Sequence, residues 1–188
     1  MAEKIGQQAR RTRELVSGLL SFAQQAPGQK NWVDLSTVVN RALRMEALRC
    51  ESVRIRTECT IEPGLPKIWG DANQIFQCCS EIISNGIDAL QDVGGGTLAV
   101  SSWWQDGQVA LTFTDSGKGV EDPQRVFDPF YTTKPIGKGT GLGLSATYGI
   151  MQEHHGQVTC HNSDRGGAVF TLRFPVPERE PASAAVGA

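Results

Sequence analysis

The residues with the clearest chemical potential lie in one stretch, Asp115 to Ser145, that begins and ends with glycines. It opens with a carboxylate and a tight turn containing Gly117 and Gly119, crosses a polar segment, and closes with glycines at positions 137, 139, 141 and 143. An apolar, helix-periodic segment follows. Glycines directly before a helix direct free backbone N–H groups at one place, and such a place binds phosphate.

Glycine alternation alone is weak, because it is equally typical of a mobile surface loop. Two common phosphate motifs are absent from the sequence. No G-x-G-x-x-G is present, since residues such as Asp122, Leu142 and Leu144 stand where the third glycine would fall. No P-loop is present either, since Thr112 and Thr132 hold its first position. A nucleotide, if one binds, is held in neither of these two ways.

A second stretch, residues 81–90, has helical periodicity and carries Glu81, Asn85 and Asp88 at positions i, i+4 and i+7. These three side chains therefore share one helix face. Taken alone, the face is most simply a solvated polar surface. An amide oxygen flanked by carboxylates also suits a hydrated Mg²⁺ ion, which takes few protein ligands.

Composition limits the partners and the setting. A chain of 188 residues with 39% hydrophobic residues predicts one domain plus an appendage. Its net charge of −2 argues against a nucleic-acid or membrane surface as partner. Five cysteines without a C-x-x-C pair indicate reduced thiols in a cytoplasmic protein. Cys160 and His161, with His154 and His155, lack the usual spacing of metal ligands, so a strand and a helix end are the better interpretation.

The predicted elements alternate in blocks rather than in β-α-β units. Helices are expected over residues 1–26, 32–49, 71–91 and 140–155, and strands over 53–57, near 68, and over 97–104, 108–114, 158–162 and 168–174. Hairpins outnumber crossovers, which predicts an α+β fold: a two-layer α/β sandwich with helices on one face of a mixed sheet. The expected divisions are a helical segment 1–27, a domain 32–175 and a disordered tail 176–188.

Four ordered motifs make the pattern specific: Asn85, Asp115–Gly119, Phe127–Lys134 and Gly139–Ser145. They resemble the N, G1, F and G2 boxes of sensor histidine kinases, whose ATPase superfamily includes gyrase, the MutL proteins and the large heat-shock chaperone. With the Gly-Gly-Ala-Val-Phe run at 166–170, the resemblance covers about residues 32–175 and implies the Bergerat-type sandwich. The form FDPFYTTK most resembles kinases of the nitrogen-regulation type.

The resemblance implies a role for each motif. Asp115 would accept a hydrogen bond from the adenine amino group, and Asn85 would ligate Mg²⁺ between the phosphates. Residues 121–138, called the lid segment below, would close over ATP with Phe127 and Phe130 as apolar pins. The implied catalytic residues are Glu81, Asn85 and Lys134, the last reaching the γ-phosphate. The implied ATP-binding set is Asn85, Asp88, Asp115, Gly117, Gly119, Phe127, Phe130, Thr133, Lys134, Gly139, Thr140, Gly141, Leu142, Gly143 and Leu144.

Three departures from the family pattern matter. Glu81 stands where many kinases have asparagine, so it would either act as a general base for slow ATP hydrolysis or polarise a substrate histidine. His155 stands where the pattern has glycine. Residues 1–27 resemble only the second helix of the dimerisation and phosphotransfer hairpin, so the phosphoacceptor histidine is expected on a helix outside this sequence.

The implied function is transfer of the ATP γ-phosphoryl group to that histidine. The implied partners are a second copy of the chain through residues 1–27 and a response regulator, with no nucleic acid and no membrane contact by this chain. Two alternatives stay open. One is a hydrolysing ATPase of the same superfamily with Glu81 as base, and the other is a non-catalytic dimerisation module.

Overall fold

A computed structural model describes residues 29–135 and 139–178 of the chain. The helix expected over residues 1–26, and residues 179–188 of the expected tail, lie outside the described residues. The described elements, in chain order, are β1 (Asn31–Val33), α1 (Leu35–Ser52), β2 (Ile55–Thr60), β3 (Ile68–Gly70), α2 (Ala72–Asp92), β4 (Gly96–Gln105), β5 (Gln108–Asp115), α3 (Gly143–Glu153), β6 (Gln157–Asn162) and β7 (Ala168–Pro175).

Five strands form one mixed sheet in the order β2-β4-β5-β7-β6. Only the β2–β4 pair is parallel; the other neighbours are antiparallel. The β4–β5 hairpin turns at Asp106 and Gly107, both with positive φ (52° and 72°), as a two-residue turn of this hand requires. The predicted α+β sandwich with a mixed sheet is therefore confirmed.

Helix α2 forms the centre of the helical layer and contacts α1, α3, β4 and β5. Its sequence places isoleucines and Leu90 on one face, and Ile75, Ile83 and Ile87 are completely buried there. The Asn85-Gly86 pair, a turn signal in other settings, is helical as predicted. Gly86 is buried, and a Cβ at this position would lie only 3.0 Å from Leu98 Cδ1. Glycine therefore allows the helix to approach the sheet closely at this point.

The start of α2 is joined to the end of α3 by a buried histidine. Asp71 is the N-cap of α2 and its Oδ1 accepts a hydrogen bond from Asn73 N at 2.7 Å. His154 Nε2 accepts from Asp71 N at 2.9 Å, so His154 Nδ1 carries the proton and donates to Ile150 O at 2.8 Å. Burial lowers the pKa of His154. Both ring nitrogens of His154 are therefore used in hydrogen bonds that join α2 to α3, which agrees with the interpretation of His154 as a residue at a helix end.

Three predicted boundaries are wrong. Trp32 does not begin a helix; it pairs with Trp69 in the small β1–β3 sheet, and α1 begins at Leu35 because Asp34 caps it. The strand expected from Val53 begins at Ile55 instead. The last helix begins at Gly143, three residues later than Thr140, because the glycine-rich backbone before it is not helical.

The cysteines are free thiols, and their exposure varies with position. Cys50, Cys78 and Cys79 are buried, whereas Cys59 is exposed. Burial raises the pKa of Cys78 to about 12, so this thiol stays protonated at neutral pH. No helix in residues 29–135 and 139–178 is long and apolar enough to cross a membrane.

Candidate functional site

A cavity of about 760 Å³ lies between α2, the end of β5, the lid segment and the start of α3. It brings together residues from all four motifs, although Asn85 and Leu144 are 59 positions apart in the sequence. The predicted residues that line it are Glu81, Asn85, Asp88, Asp115, Gly119, Thr133, Lys134, Gly139, Thr140, Gly141, Gly143 and Leu144. The chain thus assembles most of the predicted set into one concave site.

Asp115 is a buried hydrogen-bond acceptor in the wall of this cavity. The side chain is 5% exposed, and burial raises the pKa of its carboxyl group. Its Oδ1 accepts from Gly117 N at 2.8 Å and its Oδ2 from Ala168 N at 3.3 Å. Val126 and Phe170 line the cavity beside it. A fixed acceptor among apolar side chains suits a flat, aromatic ligand that carries an N–H donor.

The chain leaves Asp115 through a turn that is fixed by a residue the sequence did not indicate. Asn162, the last residue of β6, accepts from Val120 N at 2.8 Å and donates through Nδ2 to Val120 O at 2.8 Å. Gly119 lies directly before this double hydrogen bond with φ 76°, and a Cβ there would lie 2.6 Å from Asn162 Oδ1. The glycine is therefore required both by its conformation and by the approach of Asn162.

The polar face of α2 forms the opposite wall. Asn85 Nδ2 donates to Glu81 Oε1 at 2.9 Å, which fixes the amide so that Asn85 Oδ1 is free to face the lid segment. Lys134 Nζ donates to this Oδ1 at 2.9 Å and also to Asp88 Oδ2. The predicted clustering of Glu81, Asn85 and Asp88 is therefore observed, and a cationic group sits against two of the three.

The N-terminus of α3 opens onto the same wall. Its N-cap is Leu142, and no side chain caps it, so the first-turn N–H groups are available to a ligand. The backbone before it folds tightly: Phe130 N donates to Gly141 O at 2.8 Å, and Gly141 has φ 67°. The Glu81 carboxyl group lies where a Cβ at Gly143 would be, so only glycine fits at this position. An uncapped helix N-terminus of this kind favours anions.

The two predicted apolar pins behave differently. Phe127 is half-buried and packs against Tyr148 and Phe170, with ring centroids 6.2 and 6.4 Å away. Phe130 is 61% exposed and has φ 67°, so it does not pack against the core in the structure, and its role as a second pin stays a prediction. At this positive φ, the Phe130 side chain points in a different direction from the one it would take in a helix or a strand.

Four predicted residues do not line the cavity: Gly117, Phe127, Phe130 and Leu142. Gly117 acts on the site through its hydrogen bond to Asp115, and Leu142 is buried beneath the start of α3. His155, which stands where the family pattern has glycine, adopts φ 53°. The turn after α3 therefore keeps a left-handed conformation with a histidine in place of glycine.

Comparison with known proteins agrees with this geometry. A sequence profile described as "Histidine kinase-, DNA gyrase B-, and HSP90-like ATPase" matches residues 70–178. The sensor histidine kinase ZraS of Escherichia coli strain K12 is 30% identical over 94% of this chain and 37% of its own length. The C4-dicarboxylate transport sensor protein DctS of Rhodobacter capsulatus is 32% identical over 94% of this chain and 27% of its own length. The chain thus spans about a third of the length of these relatives.

Solved structures support the fold. The mycobacterial sensor histidine kinase MprB superimposes with a TM-score of 0.67 at 24% identity, covering 78% of this chain and 97% of MprB. Full-length ShkA, solved in complex with AMPPNP, gives 0.75 at 22% identity, covering 92% of this chain and 36% of ShkA. At identities below 25%, this structural similarity shows only a shared fold. Together with the profile match, it shows that this chain belongs to the histidine kinase-, DNA gyrase B- and HSP90-like ATPase family.

Proposed function

We propose that this chain is the ATP-binding catalytic part of a two-component sensor histidine kinase, which transfers the γ-phosphoryl group of ATP to a histidine outside this sequence. The observation that carries the proposal is the polarity of the cavity. The buried acceptor Asp115 lies against α2 beside Gly86, and the uncapped N-terminus of α3 lies against α2 beside Glu81, more than one helical turn away. That arrangement fits a purine with an amino group at one end and a polyphosphate at the other.

The residues present also fit a magnesium ion. Asn85 lines the cavity, and its Oδ1 accepts a hydrogen bond from the Lys134 ammonium group, so this oxygen can face a cation. Mg²⁺ needs few protein ligands when it is also bound by phosphates and water. When bound, it would neutralise phosphate charge. Asn85 would hold it, and Glu81 would keep the Asn85 amide in the correct orientation.

The chain's own residues would act mainly by positioning. Asp115 fixes the base, Phe127 holds the lid segment to the core, and the backbone of Gly139, Gly141 and Gly143 approaches the phosphates at the start of α3. Lys134 would offer a point charge to the γ-phosphate. Charge neutralisation and orientation are the main contributions to phosphoryl transfer that a protein supplies.

A second candidate function, ATP hydrolysis, is favoured by the position of Glu81. Its carboxyl group lies against Gly143 at the N-terminus of α3 and accepts from Asn85, so it stands beside the place proposed for the terminal phosphate. A carboxylate there would orient an attacking water. Steady phosphate release that Glu81→Gln abolishes would support hydrolysis, and release that Glu81→Gln leaves unchanged would reject it.

The partners and the subtype extend the same proposal. We expect residues 1–27 to pair with a second copy of the chain, residues 32–175 to form the catalytic domain, and a response regulator to accept the phosphoryl group. Of the structural neighbours, the histidine kinase ThkA was solved in complex with the response regulator protein TrrA. The nitrogen-regulation subtype and the cytoplasmic location stay predictions.

The decisive experiment is calorimetric titration of the chain with a non-hydrolysable ATP analogue, with and without Mg²⁺. We expect micromolar binding that strengthens with Mg²⁺. Asp115→Ala removes the buried acceptor and should weaken binding by about a hundredfold or more, since buried polar recognition is lost. Asp164→Ala, an exposed aspartate in the β6–β7 turn, is the control. Equal affinity for Asp115→Ala and Asp164→Ala would reject the site.

A further inference from the structure

The carboxylate of Asp88 lies between two cations that come from different parts of the fold. Its Oδ1 accepts from an Nη of Arg49 on α1, and its Oδ2 accepts from Lys134 Nζ of the lid segment. All three side chains are about one-third exposed. The lid segment is thus connected to α1 through one acidic residue of α2.

Arg49 is anchored independently of the lid segment. Its second terminal nitrogen donates to Ser84 Oγ at 3.0 Å and lies 3.5 Å from Glu46 Oε2. A guanidinium group can hold two acceptors at once in a fixed plane, which a lysine cannot. Because α1 and α2 pack against each other, Arg49 stays beside Asp88 whatever position the lid segment takes.

Lys134, in contrast, has to change partners if the proposed function is correct. Asn85 Oδ1 is then needed by the metal, and the Lys134 ammonium group is needed by the terminal phosphate. If Asp88 had no other partner, the departure of Lys134 would leave an unpaired carboxylate beside a triphosphate. Like charges at such short range weaken binding, and the lost ion pair adds to the cost.

We infer that Arg49 is a positioning residue for nucleotide binding: it neutralises Asp88 so that Lys134 can exchange from Asp88 to the phosphates. The inference rests on the proposed function and adds a residue outside the four motifs. Glu46, Glu81 and Asp88 are the acidic groups next to this exchange, and Arg49 and Lys134 are the basic ones; the cavity is also lined by Asp92, Asp115, Lys118 and Glu121. Without Arg49, the net charge around Asp88 becomes more negative, and Asp88 holds Lys134 more tightly.

The test is a double-mutant cycle on the full chain, read as affinity for a non-hydrolysable ATP analogue with Mg²⁺. Arg49→Met should weaken binding by about fivefold when Lys134 is present, the upper end expected for a partly exposed charge pair. In the Lys134→Met background the same change should cost less than about threefold, because no lysine remains to be released. Arg49→Lys, which keeps the charge but not the planar fork, should lie between the wild type and Arg49→Met.

Arg56→Met is the matched control, since Arg56 is exposed on β2, forms its ion pair with Glu58 and does not line the cavity. It should leave affinity unchanged in both backgrounds. Equal losses for Arg49→Met with and without Lys134 would mean a simple packing role and would overturn the inference, as would no loss at all. If Arg49→Met does not fold, Arg49→Gln replaces it. A wild-type chain that fails to bind the analogue would overturn the proposed function itself, a result distinct from either of these.

Discussion

At the scale of single residues, the buried His154 should make the stability of the fold depend on pH. Its neutral ring joins α2 to α3 by accepting from Asp71 N and donating to Ile150 O. Burial is the largest cause of its lowered pKa, while Ile150 O, Glu153 and Asp71 favour the charged ring and Lys30 opposes it. Protonation would place a second N–H opposite the Asp71 N–H, so the charged ring does not fit this environment.

The sign of the effect follows from linkage. The unfolded chain takes up a proton at His154 near pH 6.5, whereas the folded chain does so only at lower pH. The free energy of unfolding should therefore fall as pH drops below 6.5, by at most about 1.4 kcal/mol per pH unit from this group. The stabilisation is present in full above pH 6.5.

Urea unfolding at pH 7.5, 6.5 and 5.5 measures this for the wild type and for His154→Gln. The variant should be less stable at pH 7.5 and should lose less stability on acidification, so the two curves converge. His161→Gln, an exposed histidine of β6, is the control and should run parallel to the wild type. A His154→Gln curve parallel to the wild type would contradict the assignment.

The resemblance of four sequence motifs to a known family predicted a large part of the candidate site. Asp115, Asn85 and the glycines before α3 were identified because their motifs are contiguous in the sequence and carry local chemistry. Arg49 and Asn162 were missed because each acts on a residue more than 35 positions away, Asp88 and Val120 respectively. Nothing in the sequence near either residue marks that contact, which exists only once α1 has packed on α2 and β6 has paired with β7.

At the scale of elements, the start of α1 shows how tertiary pairing overrides a local pattern. The apolar periodicity from Trp32 favoured a helix, but Trp32 pairs with Trp69 and their rings pack edge to face with centroids 5.6 Å apart. Helix and strand compete for the same residues here. The strand prevails up to Val33 because β3 provides its hydrogen-bonding partner, and the helix begins where Asp34 can cap it.

The contribution of the Asp34 cap to the free energy of unfolding should be measurable. Asp34 Oδ1 accepts from Ser36 N at 2.8 Å and from Ser36 Oγ at 2.6 Å. Asp34→Ala should lower the free energy of unfolding at pH 7 by about 1 kcal/mol. Hydrogen bonds from Ser36 are the largest cause that lowers the pKa of Asp34, so this stabilisation is present above about pH 3.8 and is lost as pH falls through the lowered value.

Urea unfolding of Asp34→Ala and Asp34→Asn at pH 7 separates the cap from the charge. Asparagine also caps helices, so Asp34→Asn should retain most of the stability. Equal losses in the two variants would mean that the carboxylate charge, rather than the hydrogen bonds, stabilises the start of α1.

At the scale of the whole molecule, the sheet, the helices and the lid segment meet at the cavity, and each supplies a different function. The sheet ends at Asp115, α2 presents its polar face, and the start of α3 is left uncapped. The fold class followed from the hairpin pattern, because hairpins are encoded locally by turns such as Asp106-Gly107. The contacts of Arg49 and Asn162 were not predictable, because they join residues from separate elements.

Asn162 makes a contact of this kind just before the lid segment, and it supports the last prediction. It joins the edge strand β6 to the residue that precedes the lid segment by two hydrogen bonds of 2.8 Å, both near solvent. Without them, the chain after Gly119 would have to be ordered when a nucleotide binds, at an entropic cost. Asn162→Ala should therefore weaken binding of a non-hydrolysable ATP analogue by roughly three- to tenfold while changing the free energy of unfolding by no more than about 1 kcal/mol. Calorimetric titration and urea unfolding of the same samples measure both quantities, with His161→Ala, the exposed neighbour on β6, as control. A loss of stability without a loss of affinity would show that Asn162 supports the sheet edge rather than the nucleotide site.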